Sequence, residues 1–190
     1  LQMRNFERDY AYGVDYKPTE FVQTPATWQG FLRDDGRAAT RNYIGVISTV
    51  NCSATVVKQI AQHVNSSGML RDFPNVDGIV PITHSSGCGM ASVGEGIEVL
   101  RRTLAGYSRH PNFAGILMVG LGCEANQMGA LFFTQGMKES SLLRAITIQE
   151  TGGSSKTSRK GIEAIKEMLP YANKFTRQPR PASELILGLN

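Results

Sequence analysis

From residue 42 onward, short apolar runs alternate along the chain with segments whose apolar residues recur at helical spacing. Asn42 to Val50 is largely apolar without a two-residue alternation and rich in β-branched side chains, which predicts a strand covered on both faces. Val76 to Thr83, Ala114 to Leu121 and Ala145 to Gln149 read as three further strands. Between them, Ala54 to Asn65 places Val56, Val57, Ile60, Ala61 and Val64 on one helical face, with Ser53 in position to cap it. Ser92 through Leu104 predicts a second helix with Val93, Ile97, Leu100 and Leu104 on one face. Asn126 to Met137 predicts a shorter third, and Ser155 to Leu169 an amphipathic fourth stopped by Pro170. Four strand-then-helix units in succession predict an α/β, three-layer Rossmann-like domain with a mostly parallel sheet of about four to five strands.

Outside that region the pattern changes. Residues 1–28 carry Pro18 and Pro25 and no sustained period, as expected of an amino-terminal arm or interdomain linker. Asp34-Asp35-Gly36 suits a tight turn between two short extended segments at the start of the α/β domain, taken as residues 29–176. Residues 177–190 are basic and Pro-rich and lead into the apolar run Leu185 to Leu189. This segment reads as a truncated tail leading to a missing carboxyl-terminal domain.

The three cysteines, Cys52, Cys88 and Cys123, each follow an apolar run, in steps of 36 and 35 residues. That interval is about one strand plus one crossover helix. In a parallel sheet all strand carboxyl ends share one edge, so the spacing predicts three thiols on one rim, where such folds bind ligands. Zinc normally takes clustered pairs such as C-x2-C, which the chain lacks, so iron, alone or in a cluster, is the better match to the donors.

Composition narrows the partners. The chain has 20 Lys and Arg against 16 Asp and Glu, a net charge of +4, and shows no basic stripe interleaved with aromatics. Nucleic acid is therefore not expected, whereas a small anionic substrate is compatible. No apolar run approaches the roughly 18 residues that span a bilayer, so no membrane partner is expected. An odd cysteine count without short disulfide spacings suggests a reducing, cytoplasmic setting.

The strand-to-helix loops are crowded with Gly, Ser, Asn and Cys. Gly lets backbone amides approach a ligand, and helix starts favour anions and thiolates. His84, directly after a strand, is a candidate general base. Glu124 and Glu150 are candidate acid-base groups, though a carboxylate at a helix start can simply complement the dipole. Arg37, Arg41 and Lys156 could hold a carboxylate by charge-assisted bonds. His63 and His110 read as surface residues. Gly120-Leu121-Gly122 with Ala125 satisfies G-x-G-x-x-A but lacks the strand-end acid of a dinucleotide site. Gly152 to Thr157 resembles a P-loop but has Ser155 where Gly must precede Lys.

The string Gly30-Phe31-Leu32-Arg33-Asp34-Asp35-Gly36-Arg37-Ala38-Ala39-Thr40-Arg41-Asn42-Tyr43, followed by Thr49-Val50-Asn51-Cys52-Ser53, closely resembles the altronate and galactarate dehydratase family. The loops Ser86-Gly87-Cys88-Gly89, Gly120 to Gln127 and Gln149 to Thr157 carry further matches in the same order. The resemblance implies a central domain of a longer, iron-dependent hydro-lyase, with amino- and carboxyl-terminal domains outside this chain. Its reaction would remove water from altronate, galactarate or a related sugar acid to give a 2-keto-3-deoxy acid. With that chemistry, the rim residues suggest Cys52, Cys88 and Cys123 as ligands to iron, as Fe2+ or an iron-sulfur cluster, and His84, Lys156 and Glu124 as catalytic groups. Arg37, Arg41, Asn51, Gln127, Gly152 and Gly153 become candidates for substrate binding, and a homodimer is a possible assembly. The competing expectations are a non-catalytic nucleotide- or ligand-binding α/β module and a thiol-redox protein.

Overall fold

The computed structural model describes residue 13, residues 17–18 and residues 20–188. Strands β1 (Thr27–Leu32) and β2 (Ala38–Ala39) form an antiparallel hairpin around the expected Asp34-Asp35-Gly36 turn. There follow β3 (Tyr43–Ser48), α1 (Ala54–Ser66), β4 (Gly78–Ile82), α2 (Glu95–Ser108) and β5 (Phe113–Gly120). The chain continues through α3 (Met128–Thr134), β6 (Leu143–Thr147), the four-residue α4 (Ile148–Thr151), α5 (Ser154–Ala172) and β7 (Arg177–Pro181).

Strands β4, β3, β5 and β6 pair in that order, all parallel, as the alternation of elements predicts. Because side chains alternate across a strand, β3 sends Ile44 and Val46 to one face and Ile47 to the other. The first pair packs with Val57, Ile60 and Val64 of α1 and Ile165, Met168 and Leu169 of α5. Ile47 packs with Leu104 of α2 and Leu131 of α3. Helices therefore cover both faces, giving the three-layer, Rossmann-like arrangement. The β4 edge is closed locally: the Asn65 amide donates to Ile79 O and accepts from Ile79 N–H, and two residues on, Pro81 has no N–H to offer.

Several boundaries differ from the sequence reading, each for a local reason. Ser53 stands at the start of α1, but its hydroxyl donates to Val50 O and Val119 O instead of capping the helix. Helix α2 begins at Glu95, after Gly94 at φ +103°, so Val93 is left 80% exposed outside it. Helix α3 is confined to Met128–Thr134, because the buried Asn126 is held by neighbouring loops. Helix α5 passes through Pro170 to Ala172; a proline in the last turn removes only one helical bond.

Strand β1, which begins at the end of the segment read as an arm and runs into the domain, meets β7 of the segment read as a tail in a second, antiparallel sheet of order β2-β1-β7, in which Thr27 to Phe31 pair with Pro181 to Arg177. Beyond it, Leu185 to Leu187 are exposed and form no strand through residue 188. The remainder of that apolar run, and most of residues 1–19, lie outside the described residues.

Arg33 fastens this small sheet to the large one. Only 7% exposed, it donates from Nε to Pro111 O at 2.6 Å, from Nη1 to Asn42 Oδ1 at 2.8 Å and from Nη2 to Arg41 O at 3.1 Å. Its guanidinium lies 4.6 Å from the centre of the Phe175 ring. Burial pulls its pKa down to about 10 despite the opposing charges of Tyr171, Asp35 and Asp34. Asn42, fully buried, also donates to Asn75 O and Ala172 O. Asn42→Ala should therefore destabilise the fold by about 3 kcal/mol, since it strands a guanidinium donor and two carbonyls. Urea unfolding with an unchanged m-value checks this, and a loss under about 0.5 kcal/mol would contradict it.

Candidate functional site

Strand order places a switch point between β3 and β5. The helix that follows β3 packs on one face of the sheet and the helix that follows β5 on the other, which opens a crevice at the strand carboxyl ends. Cys52 lies just after β3, Cys88 in the loop after β4 and Cys123 just after β5. All three are free and exposed. The even spacing thus delivers three thiols to one rim.

Backbone and buried polar contacts knit the three loops together. Asn51 N–H donates to Ser86 O at 2.9 Å, joining the Cys52 and Cys88 loops. Gly87, at φ +96°, lies so close to Thr49 that a Cβ there would stand 2.7 Å from Thr49 O. Asn126, fully buried, receives a bond from Arg101, donates its side-chain amide to Thr49 O and its N–H to Gly87 O. Glu124, 2% exposed, accepts from Thr49 Oγ1 at 3.0 Å, Leu121 N–H at 3.2 Å and Gly122 N–H at 2.5 Å.

The Cys88 thiol is held above its ordinary pKa, first by hydrogen bonding with Cys52 and then by the charge of Cys52, with smaller contributions from desolvation, Cys123 and Glu124. Cys123 Sγ accepts a bond from Gln149 Nε2 at 3.2 Å. Three exposed soft donors on one rim fit iron in kind. Among the described residues, no three His, Cys, Asp or Glu side chains close into a cage as they stand. Exposed thiols can change χ1 rotamer on binding.

The other candidates divide between two edges. Asn51, Gln127, Gly152 and Gly153 stand on the connections at the strand carboxyl ends, and Lys156 lies in the first turn of α5 beside them. Gln127 donates to Gly122 O and Glu124 O, so it braces the Cys123 loop. Gly152 and Gly153 take φ +86° and +113° and lead into α5, whose first turn has neither a side-chain cap nor an acid. Lys156 reaches back over Gly152. A cavity of about 270 Å³ beside this rim is lined by Gly122, Glu124, Gln127, Thr147, Glu139 and Glu150.

Arg37 and Arg41 do not join them. They precede β3, at the amino ends of the strands and roughly 17 Å, one strand length, from the thiols. Arg37 pairs with Asp35 at 2.7 Å, holding that carboxyl below its usual range, and donates to Arg109 O. Arg41 faces Asp77 at 4.0 Å. A second cavity, of about 320 Å³, opens at this far edge beside Arg33 and Tyr171. His63 and His110 are exposed, as expected.

His84 is placed near the rim with both ring nitrogens occupied. Nδ1 accepts from Ser86 N–H at 3.2 Å, so Nε2 carries the proton and donates to Ser48 O at 3.1 Å. In this tautomer the ring pins the loop and has no lone pair left for a substrate proton. The reading of Glu124 as an acid-base group meets the same obstacle, since its oxygens are spent on the loops. Thr49, Asn126 and Gln149 were not among the sequence candidates; their signal lay only in their position within the loop strings.

Over residues 30–173 the chain matches the family described as D-galactarate dehydratase/Altronate hydrolase, second domain. The chain belongs to this family. It is 28% identical over 181 residues to altronate dehydratase of Bacillus subtilis (strain 168), covering 95% of this chain and 35% of that protein. Against altronate dehydratase of Escherichia coli (strain K12) the identity is 27% over 183 residues, with the same shares, 95% and 35%. Galactarate dehydratase (L-threo-forming) of the same strain is 31% identical over 169 residues, covering 86% of this chain and 32% of that protein. The chain spans about a third of the length of these curated relatives. Among the described residues no helix is long and apolar enough to cross a membrane.

The state of His84 predicts a pH effect. Burial, opposed by the bond to Ser48 O, lowers its pKa from 6.5. The unfolded chain then binds the proton more readily, so stability present above pH 6.5 is lost as pH falls from there through the lowered folded value. Wild-type unfolding free energy should drop more steeply between about pH 7 and about pH 5 than that of His84→Gln. Parallel pH profiles for the two proteins would contradict the assignment.

Proposed function

We propose that this chain is the cysteine-bearing α/β part of an iron-dependent sugar-acid dehydratase acting on altronate, galactarate or a related hydroxy acid. The observation that carries the reading is the gathering of thiols from three separate strand ends at the switch point of a chain in this family. Loss of the proton α to the carboxylate and of the β-hydroxyl releases water and leaves an enol, which becomes the 2-keto-3-deoxy acid. Cys52, Cys88 and Cys123 would hold iron, as Fe2+ or within a cluster. The iron would supply Lewis acidity for a departing hydroxyl.

The chain's own residues account for binding. The start of α5, with uncapped amides after Gly152-Gly153, suits the substrate carboxylate. Lys156 adds positive charge there, which favours the enediolate formed as the α-proton leaves. Asn51 and Gln127 stand at the same edge and can orient hydroxyls. With His84 and Glu124 engaged by the fold, proton movement falls to Lys156 or to a group from the rest of a longer protein. Those remaining parts would close over the rim and exclude water.

The nucleotide-module alternative is disfavoured by Glu124. Its carboxylate already occupies the amides of Leu121 and Gly122, where a dinucleotide phosphate would sit in the G-x-G-x-x-A loop. Anaerobic iron and sulfide analysis of the full-length protein and its Cys88→Ser variant tests the proposal. The variant is expected to lose bound iron and dehydration of altronate or galactarate together. Iron content and turnover both equal to wild type would sink it.

A further inference from the structure

The three thiols are not held alike. Cys52 and Cys88 sit in loops joined directly by the bond from Asn51 N–H to Ser86 O. Cys123 is held from a different element, the short α4 that follows β6. Gln149 N–H donates to Leu121 O at 3.0 Å, and the side-chain amide of the same residue donates to Cys123 Sγ at 3.2 Å. One residue therefore grips the loop by its backbone and the sulfur by its side chain.

The loop is shaped to receive it. Gly122, immediately before Cys123, takes φ +123°, and a Cβ at that position would lie 2.6 Å from Gln149 Oε1 and 3.1 Å from Gln149 Cβ. Any side chain at 122 would push the amide off the sulfur. Gly122 thus keeps the space into which Gln149 fits, and the left-handed backbone aims Cys123 towards the donor.

We infer that Gln149 is a positioning residue whose amide N–H orients Cys123 and tunes its sulfur as a metal donor. The inference rests on the reading of the cysteines as ligands. Donors to ligating sulfurs set where the sulfur sits and how much electron density it gives, and their loss typically weakens metal binding 10–100-fold.

Co2+ is the probe, added anaerobically to the full chain, with the thiolate-to-cobalt charge-transfer band and the dissociation constant as readouts. Wild type is expected to show the band. Gln149→Leu, close in volume but without a donor, should bind Co2+ about 10-fold more weakly or worse and shift the band. In a Cys123→Ser background the same substitution should change nothing further, because the donor acts through that sulfur; in a Cys52→Ser background its effect should persist. Gln149→Ala is run in parallel, and circular dichroism selects whichever variant keeps the wild-type fold.

An equal loss in the Cys123→Ser background would mark a merely structural role and overturn the inference, as would an unshifted band and unchanged affinity in the single variant. If wild type itself shows no thiolate band, the cysteine-ligand reading has failed, and this inference with it. The wild-type measurement thus separates the two failures.

Discussion

The rim depends on a buried carboxylate placed between strands. Glu124 hangs from the loop after β5, yet one oxygen takes the hydroxyl of Thr49 from the end of β3, and both oxygens collect amide donors of its own loop. Two residues later, Asn126 ties the same loop to Thr49 and to Gly87. The Thr49, Glu124 and Asn126 side chains are nearly or fully buried, so each of their bonds left unmade would cost about 1–3 kcal/mol, enough to hold exposed loops in one arrangement. The cysteines can be exposed because what lies beneath them is fixed.

That constraint follows from topology. A parallel sheet covered on both faces brings strand carboxyl ends to one edge, and the diverging helices after β3 and β5 leave a gap there. A gap lined by backbone N–H groups must be filled by water, a ligand or a side chain. This chain fills its floor with Glu124 and Asn126 and leaves its lip to thiols, glycines and Lys156. The opposite edge is closed differently: Arg33, Asn42 and the β1-β7 pairing lock both ends of the domain beneath the sheet.

Much of this was legible in the sequence. The unalternating run from Asn42 to Val50 and the 36- and 35-residue cysteine steps pointed to the parallel sheet and the shared rim, because both depend on periods written along the chain itself. Long-range polar pairing was not legible. Nothing local to Arg37 and Arg41 says that they lie below the sheet, since that depends on the hairpin pairing with β7 from the far end of the chain. His84 and Glu124 looked like free acid-base groups because their partners, Ser48 and Thr49, are 36 and 75 residues away. Gln149 was overlooked for the same reason, its thiol partner lying 26 residues earlier. The helix ends moved where a buried side chain, as at Asn126, outweighed helical propensity.

Glu124, bonded to Thr49 and to its own loop, anchors the polar contacts that hold the three cysteine loops in a single arrangement, and amide hydrogen exchange in Glu124→Ala is the sharpest measurement of that role. Faster exchange is predicted at Leu121 and Gly122, which lose their acceptor, and also at Asn51 and Asn126, whose N–H groups donate to Ser86 O and Gly87 O of the Cys88 loop, with Ile116 and Leu117 in β5 unchanged. Protection at Asn51 and Asn126 equal to wild type would show that the loops are held independently, and would contradict the claim.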